Sequence, residues 1–246
     1  MTALIFVHGL MGGSQQWEQQ LEALCDFECI ALDLPGFGKN ANMKALTSIP
    51  AFADWALDEL SACGIQRFHL VGHSMGGMVA QEMIAKAPDR VERLVLYGTG
   101  ATGVLPGRFE TIATSKDRAQ AEGASATARR IAATWFLDGE KAPAYEGCAQ
   151  IAHLSGIEAI LAGLDAMDGW SGTVYLPRIK TKTLVIWGDH DRTYPWIQTE
   201  ALWKSIEGTC LAVLPGCAHA SHLEKPALFN AIIRDFLTDC EDSFVK

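Results

Sequence analysis

The chain has 246 residues, of which 49% are hydrophobic and 20% are charged. This length predicts one large domain, or one domain with an insertion, and the composition argues against a disordered chain. The net charge of −9 argues against a nucleic-acid-binding protein, because contact with phosphates requires a basic surface.

Short apolar segments alternate with longer helical patterns along the chain. Buried strands are predicted at 3–7, 29–33, 68–72, 93–98, 183–188 and 211–216, and helices at 15–25, 49–63, 75–87, 198–205 and 227–238. Each strand segment is short and nearly all apolar, which is typical of strands covered on both faces. The alternation predicts an α/β protein with a mostly parallel sheet of about six strands flanked by helices.

One segment, 101–177, contains no strand pattern and is rich in alanine and charged residues. Its length far exceeds that of a single crossover connection, which favours an inserted helical cap over ordinary crossover helices. The predicted organisation is therefore a core of 1–100 and 178–246 with a helical cap of 101–177.

The cysteines and the apolar segments indicate in which cellular compartment the protein is expected. The seven cysteines form no C-x-x-C pair and their number is odd, which argues against a disulfide framework and favours a reducing cytoplasm. The apolar start lacks the basic region of a signal peptide, and no stretch approaches the roughly 20 apolar residues that span a bilayer. We expect a cytoplasmic monomer or homodimer that acts on a small molecule, without nucleic-acid or membrane partners.

The stretch LVGHSMGG, residues 70–77, places a serine between a predicted strand and a predicted helix. Glycines at 72 and 76 remove side chains that would collide in so tight a turn. This G-x-S-x-G arrangement is typical of a nucleophile elbow, in which the hydroxyl of Ser74 projects above the carboxyl end of the sheet. The backbone N–H of Met75 would then be one donor of an oxyanion hole.

A serine nucleophile needs a base, and the base needs an orienting carboxylate. Asp189 and Asp191 follow one predicted strand, and His219 and His222 follow the next. The carboxyl ends of parallel strands share one edge of a sheet, so either aspartate and either histidine could meet Ser74. The chain order is serine, aspartate, histidine.

The pieces FVHGLMGG, ALDLPGFG, GHSMGG, GDHDRTYP and HASHLEKP, in this order, resemble the α/β-hydrolase fold superfamily along nearly all of the chain. The resemblance implies that the catalytic acid is Asp191 and the base His219. It also implies that the N–H of Leu10 is the second oxyanion donor. His222 would line the site or brace the histidine loop.

Two features depart from the family pattern. Only two residues precede the first strand, so the antiparallel hairpin that usually opens the family's sheet is expected to be absent. Ala218 stands where the family usually has glycine before the histidine, which removes no chemical group.

A serine at the elbow argues against dehalogenases and epoxide hydrolases, which resemble this chain but use aspartate. The resemblance implies a capped serine esterase or enol-lactonase that cleaves a small ester, lactone or thioester through an acyl-enzyme. Alternatives are a carbon–carbon bond hydrolase of ring-cleavage products and a menaquinone-pathway lyase, although the lyase has arginine where this chain has Met78. A receptor-like protein without catalysis is a further alternative.

Aromatic residues in the cap and around the rim are candidates for the substrate pocket. The predicted substrate-binding residues are Trp17, Trp135, Tyr194, Trp196 and His222. Arg129 and Arg130 could meet a substrate carboxylate, although a solvated helix face is the alternative. The sequence contains no metal-binding cluster, dinucleotide fingerprint or P-loop lysine, so no metal and no cofactor are expected.

Overall fold

The computed structural model describes residues 2–104 and 110–239. Its strands are β1 (Ala3–Val7), β2 (Glu28–Leu32), β3 (Phe68–His73), β4 (Val91–Tyr97), β5 (Lys182–Gly188) and β6 (Cys210–Leu214). All five pairings are parallel, in the order β2-β1-β3-β4-β5-β6. The predicted fold class, a parallel sheet of six strands with helices between them, is confirmed.

Nine helices are found within the described ranges. They are α1 (Glu18–Ala23), α2 (Ile49–Ala62), α3 (Met75–Lys86), α4 (Ile112–Thr134), α5 (Tyr145–His153), α6 (Ile157–Met167), α7 (Trp196–Ser205), α8 (Ser221–Glu224) and α9 (Pro226–Thr238). The predicted helix at 15–25 is shorter than expected, because Ser14–Trp17 forms a 3-10 turn before α1 begins. Helix α4 breaks at Gly123, where φ is 79°.

The sheet is buried on both faces because side chains of successive strand residues point to opposite sides. In β1, Ile5 and Val7 belong to the apolar cluster that includes α2 and α3, whereas Leu4 and Phe6 belong to the cluster that includes α9. The central strands therefore read as continuous apolar runs, as predicted for strands covered by helices.

Strand β1 lies inside the sheet, with β2 on one side of it and β3 on the other, so the strand order reverses at β1. In open parallel sheets, ligands bind outside the carboxyl ends of the strands at such a reversal of strand order. The loops that follow β1 and β3 diverge here, so the fold itself positions a crevice next to Ser74.

Helices α4, α5 and α6 all lie between β4 and β5 in the chain. The boundaries of the predicted cap, 101–177, and the absence of an opening hairpin remain predictions. Across 2–104 and 110–239, no single helix is long and apolar enough to cross a membrane. The sharply bent pair α5 and α6 passes that length and composition test only when both are taken together.

Candidate active site

Ser74 occupies the sharp corner between β3 and α3, with φ 56° and ψ −122°. Its N–H donates to the carbonyl of Tyr97, and its own carbonyl accepts from the N–H of Gly77 and the hydroxyl of Thr99. Met11, in the loop after β1, is the other non-glycine residue with positive φ in the described ranges. Backbone strain is therefore concentrated at this crevice, as is common at functional sites.

Two glycines allow the corner to be this tight. A Cβ at Gly72 would come within 2.5 Å of the carbonyl of Gly76, and a Cβ at Gly76 would come within 2.3 Å of the carbonyl of Val7. Any side chain at either position would separate helix α3 from the sheet. The G-x-S-x-G spacing thus follows from packing as well as from exposure of the hydroxyl.

Asp191 and His219 lie after β5 and β6, on the same side of the sheet as Ser74. His219 Nδ1 and Asp191 Oδ2 are 2.8 Å apart, and both side chains are buried. The other carboxylate oxygen, Oδ1, accepts the N–H groups of Thr193 at 2.7 Å and Tyr194 at 3.0 Å. A carboxylate oxygen accepts hydrogen bonds, so Nδ1 is the donor in the contact with Oδ2.

Ser74 and His219 line the same cavity. Within the described part of the chain, neither the hydroxyl of Ser74 nor Nε2 of His219 makes a hydrogen bond. Catalytic hydrogen bonds are often long before substrate binds. The sequence-predicted serine, aspartate and histidine are thus brought together at one edge of the sheet.

The backbone of His219 is held from behind by aromatic and imidazole side chains. Its carbonyl accepts the hydroxyl of Tyr97 at 2.6 Å and lies 3.2 Å from Nε2 of His73. The His73 ring also packs on the His219 ring, with centroids 4.5 Å apart, and the Tyr194 ring stacks on the His219 ring with centroids 5.5 Å apart. These contacts fix the direction in which the imidazole of His219 points.

His222 belongs to this supporting layer and does not line the cavity. Its Nδ1 lies 3.1 Å from the hydroxyl of Tyr97, and its ring packs on Trp17 with centroids 4.6 Å apart. The structure therefore places His222 behind the histidine loop and outside the lining of the cavity. Burial lowers the pKa of His222 to about 3, so its ring is neutral near pH 7.

We expect this buried neutral histidine to make the protein acid-sensitive. In the unfolded chain His222 takes up a proton near pH 6.5, but in the folded chain only near pH 3. Between these values the unfolded state binds more protons, so the free energy of unfolding falls as pH falls, by up to about 1.4 kcal/mol per pH unit. Burial lowers the pKa values of His8 and His73 as well and adds to the effect.

The measurement is the free energy of unfolding in urea for the wild type and His222→Asn at several pH values between 7 and 5. This range lies above the pH at which carboxylates protonate. Asparagine retains a polar group toward Tyr97 but does not titrate. The variant should lose stability less steeply with falling pH than the wild type. Equal slopes would contradict the assignment of a neutral buried imidazole.

The predicted oxyanion donors flank the serine. Met75 is the first residue of α3, and Leu10 lines the cavity from the loop after β1. Neither N–H donates a hydrogen bond to any residue in the described ranges. Gly9 lies directly against the serine, since a Cβ there would be 2.8 Å from Ser74 Cβ.

His8 fixes the shape of that loop. Its ring nitrogens lie 2.7 Å from the carbonyl of Gly9 and 3.0 Å from the N–H of Leu34. Asp33, in the neighbouring loop, accepts the N–H of Ser14 at 2.8 Å. Both side chains brace loops and neither lines the cavity.

The cavity above Ser74 is small, about 30 Å³. Of the predicted substrate-binding residues, Trp135 and Tyr194 line it. Sequence reasoning missed several further residues that line it, namely Gln16, His73, Ile131, Thr134, Met167 and Thr193. His73 could have been found from its place beside Ser74 in the elbow, and Thr193 from its place beside Asp191, but the others carry no local signal.

Trp17 and Trp196 do not line the cavity. The indole of Trp17 is fully buried below the loop, packed on Phe6 with ring centroids 4.9 Å apart. Trp196 is 36% exposed and packs against Trp187 and Trp203 on the outside of the core. For both residues, tertiary packing directs the ring away from the site.

Arg129 and Arg130 are also outside the cavity. Arg129 pairs with Glu146 on α5 at 3.2 Å, and Arg130 pairs with Glu110 and Glu122 at 3.3 and 2.9 Å. Arg129 thus joins α4 to α5, and Arg130 pairs within α4 and with Glu110, which precedes α4, so both guanidiniums are held in ion pairs outside the cavity. Among the described residues, no three His, Cys, Asp or Glu side chains form a group that could hold a metal ion.

Fold and site together define an α/β hydrolase with its characteristic elbow. The sequence pattern of the alpha/beta hydrolase fold family matches residues 2–226. The chain therefore belongs to the α/β-hydrolase fold family, which confirms the resemblance.

Individual relatives include the candidate carbamate hydrolase RutD of Pseudomonas savastanoi pv. phaseolicola. It is 29% identical over 241 residues, which cover 95% of this chain and 93% of the relative. An enol-lactonase from Burkholderia xenovorans LB400, known from its crystal structure, is 26% identical in sequence to this chain. The two structures match with a TM-score of 0.89 over 97% of this chain and 92% of the enol-lactonase. A thermophilic esterase from Thermogutta terrifontis is 27% identical, with a TM-score of 0.86 over 96% and 89%.

Proposed function

We propose that this protein is a serine hydrolase that cleaves a carboxylic ester or lactone of a small molecule through an acyl-enzyme on Ser74. The observation that carries the proposal is the buried 2.8 Å contact between His219 and Asp191, beside a cavity that also holds Ser74. A carboxylate in this position keeps the proton on Nδ1 and leaves Nε2 free to act as a base.

The proposed reaction has two halves. In the first, His219 Nε2 takes the proton of Ser74 as the hydroxyl oxygen attacks the carbonyl carbon. The protonated His219 then donates to the leaving oxygen, and the acyl group stays on Ser74. In the second half, His219 takes a proton from water, the resulting hydroxide attacks the acyl-enzyme, and Ser74 leaves with that proton.

The negative charge that develops on the carbonyl oxygen would be stabilised by the N–H groups of Leu10 and Met75. Removing one such donor typically costs about 2.7–4 kcal/mol in transition-state stabilisation. Their lack of other acceptors in the described part of the chain supports this role. The amino end of α3 adds a favourable field for an anion.

The proposed substrate class is supported by the relatives and by the serine nucleophile. An enol-lactonase, an esterase and a carbamate hydrolase, the activities by which these relatives are named, each attack a carbonyl carbon.

We assign 101–177 as a cap because Ile131, Thr134, Trp135 and Met167 line the cavity. The free state of all six described cysteines supports a cytoplasmic location.

The test is a fluorophosphonate probe followed by a substrate panel. We expect one phosphonyl adduct, located on Ser74 by mass spectrometry of the digested protein. The panel contains p-nitrophenyl esters, lactones, thioesters, carbamates and a vinylogous diketone, and we expect turnover of an ester or a lactone. Turnover of the diketone alone would select carbon–carbon hydrolysis. No adduct and no turnover would indicate a non-catalytic protein.

A further inference from the structure

A second cavity opens beside the one that holds Ser74. It is a groove of about 490 Å³ between the 3-10 turn Ser14–Trp17 and helix α5. The cavity around Ser74 measures only about 30 Å³, room for about two water molecules at about 10–15 Å³ each. Small-molecule sites usually measure about 300–1,000 Å³, so of these two neighbouring cavities it is the groove that has the size of a ligand site.

Gln16 is the residue that the two cavities share. Its Nε2 lies 3.6 Å from Sγ of Cys148 on α5, so the side chain bridges from the core to the helical segment. Its Oε1 lies over the bare Cα of Gly12, because a Cβ there would be 2.5 Å from that oxygen. Sulfur is a weak acceptor, so moving this amide aside costs little.

The walls of the groove define what would fit. Apolar surface comes from α5 and the residues next to it, and from α8; it is contributed by Pro143, Ala144, Ile151, Leu154 and Leu223. Among the described residues that line it, Glu18 is the only charged one, and it would repel an anion. Gln15 and Gln150 add uncharged amides at the rim. These walls suit an uncharged and largely apolar chain.

We propose that the groove is a substrate subsite that takes an uncharged, largely apolar arm of the ester, and that Gln16 is the gate through which this arm reaches Ser74. The inference rests on the proposed function and specifies its substrate class. The small cavity holds the reacting carbonyl, and the remainder of the substrate lies beyond Gln16.

Gly147 provides a clean way to block the groove. It lies on α5 and lines the groove, and a Cβ there would meet nothing within 4 Å. Phenylalanine is also a better helix former than glycine, so Gly147→Phe should fold. Gly156 has equally open space but lines neither cavity, which makes Gly156→Phe the matched control.

The readout is the ratio of kcat/KM for a long ester to that for a short one. Two series are measured, p-nitrophenyl hexanoate against acetate and hexyl acetate against ethyl acetate. Gly147→Phe should lower the ratio about tenfold in the series whose long arm enters the groove, because several methylenes lose their contacts. Gln16→Ala should raise that ratio, and Gly156→Phe should keep the wild-type ratio. Unchanged ratios for Gly147→Phe in both series would overturn the subsite.

A binding measurement separates this inference from the proposed function. The Ser74→Ala protein is titrated by calorimetry with 2-octanone, an uncharged ketone that has no leaving group. Addition of Gly147→Phe should raise the Kd about tenfold. If the ketone binds in this way while the wild type cleaves no ester, the subsite stands and the hydrolase proposal fails. If esters are cleaved but neither ratio nor Kd responds, the subsite fails alone.

Discussion

Ser74→Ala is expected to lower kcat by roughly 10³-fold or more on the best ester of the panel, because the members of a triad act as a unit. The variant retains the cavity, both oxyanion donors and the contact between His219 and Asp191, but it lacks the oxygen that forms the acyl-enzyme. Residual hydrolysis would come from binding and oxyanion stabilisation alone. KM should change much less than kcat.

The measurement is steady-state kinetics together with phosphonate labelling. Ser125→Ala is the matched control, because this exposed serine on α4 does not line the cavity and alanine favours helix. We expect the control to keep wild-type turnover and the Ser74 adduct. A Ser74→Ala protein with near-normal turnover would reject the acyl-enzyme mechanism.

Asp191→Asn is expected to lower kcat by about 10³–10⁴-fold, through the wrong tautomer of His219. The backbone N–H groups of Thr193 and Tyr194 both donate to Oδ1, so an asparagine must present its oxygen there. Its amide nitrogen then faces His219 Nδ1 and can only donate. His219 is forced to carry its proton on Nε2, where it cannot accept the proton of Ser74.

Asp189→Asn is the matched control on the same loop. Oδ1 of Asp189 accepts the N–H of Cys217 at 3.2 Å, a bond that an asparagine oxygen preserves. Turnover of this variant should stay close to that of the wild type, because the hydrogen bond to Cys217 is retained and Asp189 does not line the cavity. The reverse pattern, with Asp189→Asn inactive and Asp191→Asn active, would assign the acid to Asp189.

The two aspartates show what the local sequence pattern predicts and what only the tertiary structure decides. Position along the chain left both as candidates, and the choice of Asp191 came from the family pattern. The structure separates them by direction, because Asp191 faces His219 whereas Asp189 faces the backbone of Cys217. Two residues of separation in a turn are enough to reverse the direction of a carboxylate.

The histidines and tryptophans give the same lesson. His222 was expected to line the site or brace its loop, and it packs behind His219 against Tyr97 and Trp17. Trp17 was expected at the rim and is fully buried. Aromatic residues satisfy the packing of a core and the lining of a pocket equally well, so residue type alone does not distinguish these roles.

The sequence by itself determined the order along the chain of the loops that carry the serine, the aspartates and the histidines, the elbow at Ser74 and the class of fold. These features depend on short-range physics: apolar runs of strand length, glycines that permit a tight corner, and loops that leave the carboxyl ends of parallel strands. Only the tertiary structure decided the small inner cavity, the Gln16–Cys148 bridge and the hydrogen bonds of Tyr97 to the histidine loop. Gln16 and Cys148 are 132 residues apart in the chain, and Tyr97 and His219 are 122 residues apart. Such contacts form only because distant elements pack together, so no local sequence pattern predicts them.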